Sequence, residues 1–203
     1  MSRSAGSLLR AVTRIYGDLD QQVACFQRAT GLQCPVGCGA CCKNPQVEAT
    51  ILEALPLAEE IYHLEKEAEI LAAIQLKGEQ EDLSCILYRS DPVVHANGRC
   101  TFYPFRPLVC RLFGFAARRN KYGQIEFAPC RIIKQETPDV VRRAEIAILN
   151  RLTPPLYQES FLRIAAVLPA MGFRRLPINR AIWEALAYLQ WKKPSKRRYK
   201  KAA

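Results

Sequence analysis

A mainly α fold is what this sequence predicts, and three observations carry the prediction. Apolar residues recur at helical spacing near both ends of the chain. A block dense in cysteine, glycine and proline separates the first two helical stretches, which is loop chemistry. Around Lys121-Tyr122-Gly123 two short β-prone runs flank a turn, which reads as one small hairpin. The expected architecture is a helical domain built around a cysteine-rich loop region, with a small β-hairpin. With 203 residues and 49% hydrophobic content, the chain carries enough apolar side chains for a real core.

The elements follow in order. Leu8, Val12, Ile15, Leu19, Val23 and Phe26 mark a helix over 8–30, stopped by Gly31. Cys25 falls inside that pattern and reads as a small buried hydrophobe. Residues 31–46 form the cysteine loop, where Gly37 and Gly39 would let backbone amides approach sulfur. From Glu48 to about Lys77 the pattern is helical again, with a break allowed at Pro56 and a stop at Gly78. The acids Glu59, Glu60, Glu65, Glu67 and Glu69 read as its solvated face. Asn97-Gly98 signals a turn, and Pro107 starts a short helix through Leu112 that carries Cys110. The hairpin ends at Cys130, and segments near 138–152, 158–171 and 178–191 are helical. The expected organisation is an N-terminal helix (1–30), a cysteine-cluster core (31–131), a helical segment packing on it (132–191) and a basic tail (192–203).

Eight of the nine cysteines lie between Cys34 and Cys130, and four sit within the nine residues CPVGCGACC. A disulfide scaffold suits them poorly: the count is odd, Cys41 and Cys42 are neighbours, and no signal-peptide pattern opens the chain. Thiolates in a reducing, cytoplasmic setting are the better reading. Arg3, Arg10 and Arg14, with three serines and no acid over residues 1–17, loosely resemble an organelle transit peptide, which stays open as an alternative. No apolar run approaches the length of a membrane span.

Cysteines this close in sequence are what a soft metal needs, since short loops lose little entropy in gathering the ligands. Eight thiols fit two four-ligand sites, or an iron–sulfur cluster plus zinc. Cys38, Cys41, Cys42, Cys100, Cys110 and Cys130 form the main candidate set, with Cys34 and Cys85 completing the eight. Adjacent Cys41 and Cys42 diverge in either regular conformation, so they are expected to face different centres, or one binds while the other packs. Lys43, Arg99, Arg111 and Arg131 each sit beside a candidate ligand, and a nearby cation favours the thiolate. The two histidines are weaker candidates. His63 lies in a helical pattern, and His95, between Cys85 and Cys100, lacks recognisable ligand spacing.

Formal net charge is +11, and the seven cations from Lys192 to Lys201 account for all but +4 of it. That tail is either a solubilising extension or a weak contact for nucleic acid or an acidic surface. No phosphate-binding loop, dinucleotide glycine fingerprint, nucleophile elbow or HExxH is present. A thiol–disulfide role for CGAC lacks the βαβ context that usually surrounds it.

Taken together, CPVGCGACC, SCILY, GRCTFYPFRPLVCRLFGF and a later PC resemble the CxxCxxCC zinc- or iron-chelating family, the YkgJ-type cysteine cluster proteins. Gly98, Cys100, Tyr103, Arg106, Pro107, Cys110, Arg111 and Phe113 fall on its GxCxxYxxRPxxCRxF pattern. Two departures stand out: three residues rather than two separate Cys34 from Cys38, and SCILY is followed by a longer insertion. The resemblance covers about 31–131 and implies metal or iron–sulfur binding. Larger flagellin lysine methylases are similar in their cysteine pattern, but this chain lacks a methyl-donor glycine motif. Arg106 and Arg111 are then expected beside the ligands, orienting the loop and offsetting thiolate charge. The expected role is a protein holding an iron–sulfur cluster (4Fe–4S) or zinc, acting in electron transfer or redox sensing. The alternatives are a structural-zinc module whose basic tail binds RNA or an acidic partner, and a cluster-dependent subunit of a protein-modifying enzyme.

Overall fold

The computed structural model describes residues 4–94 and 97–192, so His95 and the tail beyond Lys192 lie outside the described residues. The first helix, α1 (Ala5–Thr30), starts where the Ser4 side chain accepts the Ser7 N–H and ends at Gly31 in the left-handed region (φ 75°). Its buried stripe is Leu8, Val12, Tyr16, Leu19, Val23 and Phe26. Tyr16 takes the inward place expected for Ile15, because a stripe repeating every 3.6 residues runs 8, 12, 16, 19 and leaves position 15 at its edge. Cys25 is exposed on the opposite face, not packed, and accepts a bond from Arg28 Nη2 at 3.1 Å.

The single helix expected over 48–77 is instead divided. After the one-turn α2 (Ala40–Lys43) come strand β1 (Glu48–Thr50), α3 (Ile51–His63) and α4 (Glu67–Glu79). Pro56 does not break α3. Its ring removes one backbone bond near the helix start, while a complete capping box between Thr50 and Glu53 anchors that end. The break falls at 64–66, where Glu65 adopts a positive φ of 55°. Strands β2 (Tyr88–Ser90) and β3 (Gly98–Cys100) then pair antiparallel, with Tyr88 opposite Cys100. A 3₁₀ turn at Tyr103–Phe105 leads into α5 (Leu108–Leu112), the expected short helix carrying Cys110.

The predicted hairpin is β4 (Ala117–Arg119) with β5 (Ile125–Phe127). It is followed by α6 (Arg131–Glu136), α7 (Pro138–Leu149), α8 (Tyr157–Ala165) and α9 (Pro169–Gly172). The 158–171 segment thus splits ahead of Pro169. Strand β6 (Arg175–Pro177) returns to pair with β1, and α10 (Ile178–Lys192) closes the fold. The chain is mainly helical with small two-stranded antiparallel sheets, as expected, and the described residues form two more such sheets than the one hairpin foreseen. Among the described residues no helix is long and apolar enough to cross a membrane.

The core runs between α1, α3 and α10, where Leu52, Leu55, Ala181, Ile182, Ala185 and Leu186 are sealed from solvent. Two tyrosines tie the helices together: Tyr16 donates to the Glu53 carbonyl at 2.9 Å, and Tyr62 to the Leu186 carbonyl at 3.1 Å. Glu53 is 1% exposed. Its Oε1 accepts the Thr50 N–H, while its Oε2 has no partner among the described residues. Burial pushes this carboxyl above its usual range, although the Thr50 bonds and Arg175 pull the other way. A raised carboxyl contributes stability below its unfolded pKa and loses it as pH climbs through the folded value. Glu53→Gln keeps the cap acceptor and removes the charge. Urea denaturation is expected to give equal stability for the two proteins at about pH 4 and a more stable Gln protein at neutral pH. Parallel pH curves would remove the buried charge from this account.

Candidate metal centre

The residues flagged by CPVGCGACC converge because the backbone gathers their segments. The Cys85 N–H donates to the Cys42 carbonyl at 2.8 Å, and the Gly98 N–H to the Gly37 carbonyl at 2.8 Å. The β2–β3 pair brings Cys100 beside Tyr88. Gly39 and Gly98 both lack a Cβ where the Tyr88 ring packs, and a Cβ at either would fall within that ring's van der Waals surface. Glycine at both positions is what this close approach requires.

Asn179, at the start of α10, holds the Cys85 segment from both sides. Its Oδ1 accepts the Ile86 N–H at 2.8 Å, and its Nδ2 donates to the Ser84 carbonyl at 2.9 Å. Nothing in the local sequence marks this residue, since its partners lie 93 and 95 positions away. Tyr88 was missed as well, though the glycines it packs on were visible.

These segments enclose a cavity of about 210 Å³ lined by Cys34, Cys38, Cys41, Cys42, Cys85, Cys100 and Cys110. Its apolar floor is Val47, Leu57, Leu87, Ile178 and Ile182, from the core side, and no acid lines it. The thiols range from exposed Cys34 to buried Cys42 and Cys85. Cys130 lines a separate hollow, and its charge is one of those that, after burial and Cys38, push the Cys34 thiol up. The Cys130 sulfur also accepts the Ile133 N–H as the N-cap of α6. Seven of the eight predicted thiols thus line one cavity and Cys130 lies outside that lining, while Cys25 lies apart in a cleft with Asp18 and Arg163. Among the described residues no three Cys, His, Asp or Glu side chains are arranged to hold a metal ion: the thiols spread over a wall.

Cys42 interacts most strongly with Cys100, Cys41 and Cys85. These interactions, joined by burial, push its own thiol well up. The bond from Cys42, assisted by the Arg106 charge, holds Cys41 down at about 6 against the opposing effect of burial. Cys100 is lowered for the same first reason. Burial and the surrounding thiols push Cys110 up. The pocket therefore favours thiolate at Cys41 and Cys100 and keeps the proton on Cys42.

The expected cations divide. Arg106 lines the cavity, braced by bonds from Nε to the Tyr103 carbonyl (2.8 Å) and from Nη1 to the Cys110 carbonyl (3.3 Å). Arg99 also lines it. Lys43 lies over the Tyr88 ring at 5.1 Å, and Arg131 is exposed. Arg111 faces α1, with its side chain 6% exposed. There it bonds Asp20 at 2.7 Å and the Arg106 and Pro104 carbonyls, and stacks on Tyr16. Its work is to fix the loop that carries Arg106.

A soft, acid-free donor set suits zinc or iron with sulfur and is unsuited to calcium or magnesium. That donor chemistry places the chain in the class of thiol-rich chelating domains. Residues 33–143, just over half the chain, match the model of the CxxCxxCC family, described as "Putative zinc- or iron-chelating domain". The chain belongs to that family. No curated protein and no solved structure gives a significant match.

Replacing Asn179 with Ala orphans the Ile86 N–H and the Ser84 carbonyl. Chemical denaturation is expected to show a loss of about 2 kcal/mol, with faster alkylation of Cys85 in the folded protein. Unchanged stability together with unchanged alkylation would show that the Cys85 segment is held by other means.

Proposed function

We propose that the cavity thiols hold an iron–sulfur cluster and that the protein serves electron transfer or redox sensing. The observation that carries this reading is the spread of seven thiols around a cavity of about 210 Å³. A tetrahedral zinc draws four sulfurs to about 2.3 Å from one point. A cluster has volume of its own and takes four thiolates set around it. Four of the five thiols Cys41, Cys42, Cys85, Cys100 and Cys110 would supply them. Exposed Cys34, with Cys38 and Cys130, would serve a second centre.

A bound cluster would supply one-electron chemistry at a potential set by its surroundings. The chain's own contributions are specific. Arg106 places a fixed positive charge beside Cys41 and Cys100. The floor of Leu57, Leu87, Ile178 and Ile182 gives the thiols an apolar, low-dielectric side towards the core. Asn179 and Arg111 hold the loops that bear Cys85 and Arg106.

A second reading, structural zinc, draws support from one feature. Cys42 interacts most strongly with Cys41, Cys85 and Cys100, and the set of four matches the donor count of a closed four-sulfur zinc site.

Anaerobic purification separates the two readings. The expected protein is brown, with a broad visible band and with iron and acid-labile sulfide in similar amounts. Cys42→Ser and Cys100→Ser should lose most of that colour, while Cys25→Ser should keep it. A colourless protein with stoichiometric zinc would overturn the cluster and leave the zinc reading.

A further inference from the structure

We propose that the rim of the thiol cavity is a docking surface for an acidic protein that exchanges electrons with the centre beneath. The inference rests on the redox reading above and adds the partner's class and the residues that meet it.

Val36 is 98% exposed, the most of any large hydrophobic side chain described. It is not on a trailing end. The Cys38 N–H closes a turn onto the Pro35 carbonyl at 3.0 Å, and the Gly98 N–H pins the next residue at 2.8 Å. The neighbours of Val36, Pro35 and Gly37, line the cavity, so this anchored aliphatic side chain offers an apolar contact at the edge of the opening. Tyr103, 53% exposed, adds a second apolar group to the same rim. The Arg106 guanidinium stacks on its ring at 3.4 Å.

The charge at the rim has one sign. Arg99 and Arg106 line the opening, and no acid does. Arg106 already commits Nε and Nη1 to the Tyr103 and Cys110 carbonyls, so it is poorly placed to clamp a small carboxylate or phosphate with two bonds. Its charge acts instead as a field on an approaching surface. A small apolar contact with two cations at the same opening fits the weak, fast encounters of electron-transfer proteins. Exposed Cys34 at this rim puts a sulfur ligand candidate close to whatever docks.

The basic stretch Lys192–Lys201 would also attract acidic proteins, so the test must separate rim from tail. A fluorescently labelled flavodoxin of net negative charge is titrated with the full chain, and binding is followed by anisotropy. The expected result is saturable binding that weakens with salt and falls about tenfold in Val36→Asp and Arg99→Glu. It should change little when the seven tail cations become Gln. A basic c-type cytochrome should not bind. Binding lost with the tail cations and indifferent to Val36 and Arg99 would overturn the proposal. So would displacement of the flavodoxin by inorganic phosphate at constant ionic strength, which would assign the rim to a small anion. Both substituted side chains are exposed, and an unchanged melting temperature confirms that the variants fold. Because anisotropy reads no metal, a zinc-loaded protein that still binds through Val36 would sink the cluster and keep the surface.

Discussion

Like charges in one half-buried pocket are the constraint on which this structure turns. Seven thiols share the wall of one cavity with an apolar floor, and Cys130 stands just beyond it. They cannot all ionise there, because burial and mutual repulsion each disfavour thiolate. The chain answers in part. The proton stays on Cys42, whose interaction with Cys41 and Cys100 lowers both, and Arg106 lends a positive charge to the pair. One guanidinium and one shared proton offset little of what eight thiolates would carry, and a bound metal centre would supply the remainder.

The surrounding fold is arranged to hold that crowd in place. Helices α3 and α10 provide the cavity floor through Leu57, Ile178 and Ile182, and both belong to the main core. Asn179 reaches from α10 to fix the Cys85 segment, while Arg111 ties the loop bearing Arg106 to Asp20 on α1. The loops that carry the thiols have little regular structure of their own, since β2, β3 and α5 hold three to five residues each. Their order comes from these long-range bonds. A substitution in α1 or α10, far from any cysteine in sequence, therefore acts on the site through Arg111 or Asn179.

What the sequence disclosed follows the range of the forces involved. Local patterns were readable: the α1 stripe and its Gly31 stop, the Pro107 start of α5, and the hairpin around Tyr122. The thiol neighbourhood was readable because CPVGCGACC is compact in sequence. The break in α3–α4 was misplaced at Pro56 because the capping box and buried packing outweigh one lost backbone bond. The β1–β6 pair joins residues some 127 positions apart, which no local signal reports. Arg111 and Arg106 look alike beside their cysteines, yet one turns to Asp20 and the other to the cavity. Cys25 fell in a helical pattern but on its outer face, where Arg28 meets it. Phase along a helix decides such cases, and a one-residue shift reverses the reading.

X-ray absorption at the iron and zinc edges of protein purified without oxygen tests the central claim most directly. The account predicts iron with a first shell of sulfur alone and a second shell of iron neighbours, as thiolate-held clusters give. It predicts that Cys110→Ser alters the sulfur shell and that Cys25→Ser leaves it intact. Zinc with four sulfurs at about 2.3 Å and no metal neighbour would contradict the cluster. A shell dominated by oxygen and nitrogen would contradict the thiol cavity itself as the metal's home.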